Sequence, residues 1–343
     1  MKILYAIQGT GNGHLSRAMD IVPCLQRRGL VDVLVSGIQG DLILPFPVRY
    51  QLRGLSFIFG KSGGVDFWQT FVQGSLRKLI SEVRDLPVEK YDLVISDFEP
   101  VTAWACRLKK KKVVALSHQS AVLAPKSPRA LHTDWLGKWI LKHYAPSDVQ
   151  YGFHFNTYDS NIFTPVIRQQ VRHQEINDRQ YYTVYLPSYE DKRLISILSR
   201  FKDIRWDVFS KHNKYTYMAG NINVQPVSNE AFIKSMASAS GVLCGAGFET
   251  PAEALYMGKK LLVVPMKNQY EQHLNAAALS EMGVPVISAL DDSASPRLSD
   301  WLQYGKPLQI NYPDITRDVV DLLLDTEVGV KSSEVKNINI GTD

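Results

Sequence analysis

No run of this 343-residue sequence approaches the roughly 20 apolar residues needed to cross a bilayer. The opening stretch, Met1 to Gly9, is too short an apolar segment for a signal peptide and reads at once as a buried strand. Cysteine is scarce: Cys24, Cys106 and Cys244 stand in apolar surroundings, odd in number and without metal-type spacing. They read as buried thiols in a reducing compartment, which places the protein in the cytoplasm. Charge of one sign is also lacking. A formal net charge of +5 does not mark a nucleic-acid binder. The densest basic run, Lys109 to Lys112, reads as a solvated loop before a strand. No short-period repeat and no low-complexity segment interrupts the chain.

What is present is an alternation of strand and helix patterns. In the first half, strands are expected over 3–7, 31–35, 54–59, 92–96 and 113–116, with helices over 14–28, 67–84 and 101–108. The region 161–181 is rich in charge and Gln, contains Pro165 and lacks periodicity, so the domain linker is placed there. The alternation then restarts, with strands over 182–186, 205–209, 241–244 and 260–265 and helices over 191–200, 229–239, 271–282 and 314–324. Such alternation predicts parallel, doubly wound α/β sheets. The expected domains are 1–160 and 182–330, with the last helix packing back on the first domain and a polar tail over 331–343.

Two loops carry chemistry. From Cys244, the sequence Gly245-Ala-Gly247-Phe-Glu-Thr250-Pro-Ala-Glu253 joins a strand to a helix. Its glycines let the backbone approach a ligand closely, Thr250 can act as N-cap, and Pro251 suits the first helical position. The free N–H groups and positive dipole end of such a helix attract a phosphate. Glu253, one turn in, offers a carboxylate to a ribose diol. An ordinary strand–loop–helix junction is the plainer reading. In the first half, Gly9, Gly11 and Gly13 follow the first strand in a G-x-G-x-G spacing, and no ribose-binding acid ends the second strand, which argues against a nicotinamide enzyme.

His14 stands where the first helix begins, at the C-terminal edge of the expected sheet. A neutral imidazole there can take a proton from an attacking hydroxyl. Asp97, at the end of another strand, can orient it, or can instead cap the helix after Pro100; Glu99 can serve in its place. His118 ends a third strand as a candidate on the acceptor side. Around Trp135 and Trp139, the basic residues Lys126, Arg129, Lys138, Lys142 and His143 interleave with aromatic residues. That pattern suits an anionic membrane surface, or an amphipathic helix facing its own core.

Together these residues resemble the GT-B glycosyltransferases, which use nucleotide-sugar donors. The resemblance rests on 3–18, on Asp92 to Pro100 and on 223–276, and is nearest to family-1-like transferases of ill-defined specificity. The peptidoglycan N-acetylglucosaminyltransferase and the UDP-glucuronosyltransferases are more distant relatives. It implies two Rossmann-like domains with parallel sheets facing across a cleft, and a metal-independent inverting transfer from a UDP-sugar to a hydroxyl acceptor, such as a cell-envelope glycan or lipid. By the same resemblance, Gly245, Gly247 and Thr250 hold the diphosphate, Glu253 the ribose and the loop at Gln225 the base. Gln269, Glu271 and Gln272 face the donor sugar, while Asn275 is structural. His14 takes the place of the general base, with Asp97 as partner and Gly11, Gly13 and His118 on the acceptor side. Phe248-Glu249 and Glu271 depart from the relatives' residues, and no Asp-x-Asp motif is present. Neither a metal nor another cofactor is implied, the leaving diphosphate being met by a helix end. Two rivals use the same pocket: a UDP-sugar 2-epimerase working through Glu271, His273 and His118, and a non-catalytic nucleotide-sugar-binding protein.

Overall fold

A computed structural model describes residues 1–37, 42–54, 76–130 and 134–329. The expected strand 54–59 and the tail fall largely outside these residues, as does the first part of the helix expected over 67–84, whose described portion is Leu76–Asp85.

Among the described residues the first sheet has seven strands: β1 (Lys2–Gln8), β2 (Leu30–Ser36), β3 (Tyr50–Leu52), β4 (Leu93–Asp97), β5 (Val114–Leu116), β6 (Val149–Phe153) and β7 (Ile162–Phe163). Its order is β3-β2-β1-β4-β5-β6-β7, with every pairing parallel. The second sheet has six strands: β8 (Tyr181–Tyr185), β9 (Arg205–Ser210), β10 (Tyr217–Ala219), β11 (Ile222–Pro226), β12 (Gly241–Gly245) and β13 (Lys260–Val264). It runs β10-β11-β9-β8-β12-β13, antiparallel only at the edge pair β10–β11. Strands such as Ile3 to Ile7 and Val242 to Cys244 are apolar throughout because helices cover both faces of a parallel sheet.

Strand order reverses between β1 and β4 in the first sheet and between β8 and β12 in the second. In open α/β sheets a crevice forms at such a switch, outside the carboxyl ends of the strands. His14 and Asp97 follow or end β1 and β4, and Gly245 ends β12, so both chemical loops fall at switch points.

Several elements differ from the expectation. Strands β6 and β7 and the short helices His118–Val122 and Trp135–His143 extend the first unit, and β7 and the helix Gln169–Arg172 lie inside the region read as linker. Polar residues in Val149-Gln-Tyr-Gly-Phe hide the strand pattern, and two residues of β7 carry no period at all. Val224 to Pro226, read as a loop, belongs to β11, and the helix Ser295–Tyr304 was not expected. Cys106 and Cys244 are buried, whereas Cys24 is only partly so.

One apolar cluster runs through both halves, from Ile3, Leu15 and Ile21 to Val242, Leu255 and Leu323. The final helix, Thr316–Val328, contributes Val319, Val320, Leu323 and Leu324 to it. Arg28, just beyond the first helix Asn12–Gln26, donates to Asp321 and, at 2.7 Å, to Asp325 of that final helix. Tyr151 of β6 donates to Glu327 at 3.0 Å. The helix Thr316–Val328 is thus fastened to the first unit by packing, with the half-buried Arg28 ion pairs and the Tyr151–Glu327 hydrogen bond around it. Leu323→Ala should lower unfolding free energy by about 2–5 kcal/mol, through lost burial and the cavity left behind. Urea titration showing a loss near zero would mean the final helix does not share this core.

Candidate active site

The turn after β1 brings His14 beside Asp97. Gly11, at φ +91°, flanks the first helix in a conformation that L side chains rarely adopt, and that turn sets His14 in the first helical turn. His14 Nδ1 lies 2.8 Å from Asp97 Oδ1. Asp97 is fully buried and does not cap the next helix; Glu99 does, accepting from Val101 and Thr102 N–H at 2.7 Å. The residue between them, Phe98, is held at φ +56°, uncommon for a bulky side chain and the backbone turn that separates the two carboxylates. Asp97 and Glu99, alternatives in the sequence, therefore have separate work.

Arg17, one turn beyond His14, was not singled out from the sequence, although the i, i+3 spacing puts both on one helix face. It is 2% exposed. Its Nη2 donates to Asp97 Oδ1 at 2.7 Å and Oδ2 at 2.9 Å, and its Nε to Oδ2 at 3.1 Å. Its Nη1 donates to Glu249 Oε1 at 2.6 Å, in the other unit. Burial would raise the Asp97 carboxyl, but the Arg17 charge and His14 hold it below the usual carboxylate range. Burial also works against the Arg17 charge, and Asp97 and Glu249 outweigh it. Because the Nη2 hydrogens are spent on the carboxylate, the 3.1 Å approach of Nη2 to His14 Nδ1 is a contact between donors. The Nδ1 proton then points at Asp97, and the Nε2 lone pair has the Gln119 amide nitrogen 3.5 Å away.

Across the cleft, the helix Glu249–Tyr256 starts two residues earlier than expected. Phe248 is its N-cap and no side chain caps its N–H groups, so Thr250 and Pro251 are its second and third residues. The reason is Glu249, whose carboxylate turns to Arg17 and settles in the first turn, where the dipole favours it. Gly13 makes this fit possible: a Cβ there would stand 2.5 Å from Glu249 Oε2. Around Gly247 there is open space, and a Cβ on Gly245 would meet Gln272 Oε1 at 3.5 Å. That oxygen also accepts from Met266 N–H at 2.9 Å. Gln269 keeps a buried Oε1 with no hydrogen-bond partner among the described residues.

Other candidates sit differently. Glu253 is buried, and Arg168 donates to both its oxygens, at 2.5 and 2.7 Å. The carboxylate expected to stand open is closed by a residue of the presumed linker. Gln225 donates to Asp207 at 2.7 Å from its place in β11. His118 is 1% exposed, with Nδ1 2.8 Å from Phe153 O and Nε2 2.7 Å from Asn275 Oδ1, and it stacks on Phe248 at 3.9 Å. Burial pushes its imidazole below the ordinary value, with Glu271 opposing. It joins the two units and does not face an open acceptor space. Asn275 completes that bridge by donating to Ala246 O at 3.1 Å. Glu271 accepts from Gln119 at 3.0 Å, and that Gln119 nitrogen is 3.5 Å from His14 Nε2. His273, the epimerase candidate, is tied to Lys267 O at 3.0 Å. Among the described residues, no group of three or more His, Cys, Asp or Glu is placed to hold a metal ion.

Two Rossmann-like units facing each other, with a histidine–carboxylate pair on one and an open helix end on the other, define a GT-B glycosyltransferase. The chain belongs to glycosyl transferase family 1, whose sequence profile matches residues 1–304. No functionally curated protein matches it in sequence. Among solved structures it is similar to a UDP-glucosyltransferase from Polygonum tinctorium, at 15% identity and TM-score 0.58, covering 97% of this chain and 95% of that one. LpCGTa, solved in complex with UDP, is 13% identical with TM-score 0.57, covering 95% and 94%. MurG from Acinetobacter baumannii is 16% identical with TM-score 0.53, covering 94% and 99%.

The Arg168–Glu253 pair is testable by itself. Arg168→Met should cost roughly 3–5 kcal/mol by leaving Glu253 buried and unpaired, and Arg168→Met with Glu253→Leu should recover most of it. Chemical denaturation showing a loss of about 1 kcal/mol or less for the single variant would make the pair no stronger than an exposed one.

Proposed function

We propose that this glycosyltransferase is an inverting, metal-independent enzyme that moves a sugar from a UDP-sugar to a hydroxyl acceptor. The observation that carries this reading is the His14–Asp97 contact, placed at one sheet's switch point and joined through Arg17 to the uncapped helix end of the other. UDP is favoured because structural relatives in this fold are a UDP-glucosyltransferase and a protein bound to UDP.

In this scheme the diphosphate lies against the N–H groups of the helix Glu249–Tyr256, near Gly245 and Gly247, with Thr250 beside it. Gln269 and Gln272 present amides to the sugar, and Glu271 joins them through Gln119. The acceptor oxygen attacks the anomeric carbon from the first unit's side. As its proton passes to His14 Nε2, the bond from the anomeric carbon to the diphosphate oxygen breaks and the nucleoside diphosphate leaves with the electron pair. One displacement inverts the anomeric centre. Asp97, ionised and held by Arg17, stabilises the imidazolium that forms. The helix dipole offsets charge growing on the leaving group. His14→Ala should reduce transfer at least 1,000-fold, the scale of a lost general base with its positioning, while leaving UDP affinity within about twofold. Steady-state turnover close to wild type in that variant would remove His14 from the chemistry.

We extend the reading to a membrane-surface site. The helix Trp135–His143 has no buried residue; Trp135 and Trp139 are 74% and 58% exposed, with Lys138, Lys142 and His143 beside them. An apolar stripe interleaved with cations suits the anionic headgroup region. No helix among the described residues is long and apolar enough to cross a membrane. Co-sedimentation with phosphatidylglycerol vesicles should fall several-fold in Trp135→Ser/Trp139→Ser. Equal recovery of variant and wild type would refute the contact.

A further inference from the structure

Beside the His14–Asp97 pair, within the first unit, lies a cavity of about 390 Å³. It opens at the carboxyl ends of β4 and β5 and is walled on its far side by the helix Trp135–His143. Ser96 and Phe98 bring its wall to either side of Asp97, and the Phe98 ring is 6.5 Å from that of His14. Gln119 forms the wall next to His14 Nε2.

The lining has one sign of charge. Arg129, Lys138 and Lys142 all contribute, and among the described residues no acidic side chain lines the cavity. Arg129 is held in place by donating to the carbonyls of Val122 and Ala124, at 3.0 and 2.8 Å, which fixes the guanidinium without neutralising it. Lys138 and Lys142, four residues apart, share one side of their helix. Two like charges set side by side repel each other unless an anion lies between them. Gln119 adds an independent sign of a ligand. It is 5% exposed, its amide nitrogen donates to Glu271, and its Oε1 is buried without a hydrogen-bond partner among the described residues. A buried amide oxygen left unmatched costs free energy unless a donor arrives, and a second hydroxyl of a molecule whose reacting hydroxyl faces His14 Nε2 would be that donor.

Building on the transferase reading above, we propose that this cavity is the acceptor site and that the acceptor is anionic, a hydroxyl compound bearing a phosphate or a carboxylate. The charged group sits against Arg129, Lys138 and Lys142. The reacting hydroxyl lies at His14 Nε2, and a neighbouring hydroxyl of the same molecule donates to Gln119 Oε1. The cavity's volume holds a small hydroxylated head, which leaves the rest of a larger acceptor to run outward along the Trp135–His143 helix.

The test is calorimetry on protein first saturated with UDP, so that the helix end of the donor side is already filled. Failure of UDP to bind at that first stage counts against the donor reading alone. The UDP-loaded protein is then titrated with glycerol 3-phosphate, glycerate and glycerol. At least one of the two anions should bind, glycerol should not, and the tighter anion tells phosphate from carboxylate. Lys138→Gln/Lys142→Gln should weaken anion binding tenfold or more. A charge-matched control far from the cavity, Lys202→Gln/Lys306→Gln, should change it less than twofold. All four lysines are exposed, so unchanged melting temperatures are expected and show that the variants are folded. Glycerol binding as well as the anions, no binding of either anion, or equal losses in the two double variants would each overturn the proposal.

Discussion

A single buried guanidinium organises the centre of this molecule. Arg17 is removed from water yet carries full charge, and burying a cation is tolerable only where opposite charge and hydrogen-bond acceptors surround it. Asp97 supplies both oxygens from the first sheet, and Glu249 supplies one from the first turn of a helix in the second. The same contacts keep Asp97 ionised, which a buried carboxyl would not be by itself. An ionised Asp97 in turn fixes the His14 tautomer. Position of the units and orientation of the histidine ring therefore follow from one charge cluster.

The remaining contacts between the units repeat this economy. Phe248, at the helix cap, stacks on His118, and His118 reaches Asn275, which reaches back to Ala246 in the glycine loop. Arg168 does the same work from another side by forking Glu253. Residues whose types suggest ligand binding are here spent partly on joining two half-sites. Such bridges suit the transfer proposed above, in which donor and acceptor sit on different units and meet with water kept out.

Much of the architecture was legible because parallel sheets covered on both faces need continuous apolar strands, and runs such as Ile3 to Ile7 or Leu261 to Val264 have no competing interpretation. Elements at or next to the sheet edges were not. Strands β6, β7 and β10 are short or carry polar residues, and their strand geometry is imposed by neighbours. Within the site, the meeting of His14 and Asp97 could be expected from their places at two strand ends. Thr250 was misplaced as a cap because local cap preference was outweighed by the Glu249–Arg17 ion pair, made 232 residues apart. Glu253 looked like an open carboxylate because its partner, Arg168, stands 85 residues away in a stretch with no periodic signal.

Read alone, the amino-acid sequence determines the alternating strands and helices, the two glycine loops and the histidine that follows the first. These depend on near neighbours in the chain: apolar period, backbone permissiveness and helix-start chemistry. Only the tertiary structure decides which carboxylate faces which cation. Asp97 and Glu99, two residues apart and chemically alike, receive opposite tasks because Phe98 turns the backbone between them, sending one to Arg17 and the other to a helix cap. Charge pairing acts through space, and local sequence carries no record of what lies across the cleft.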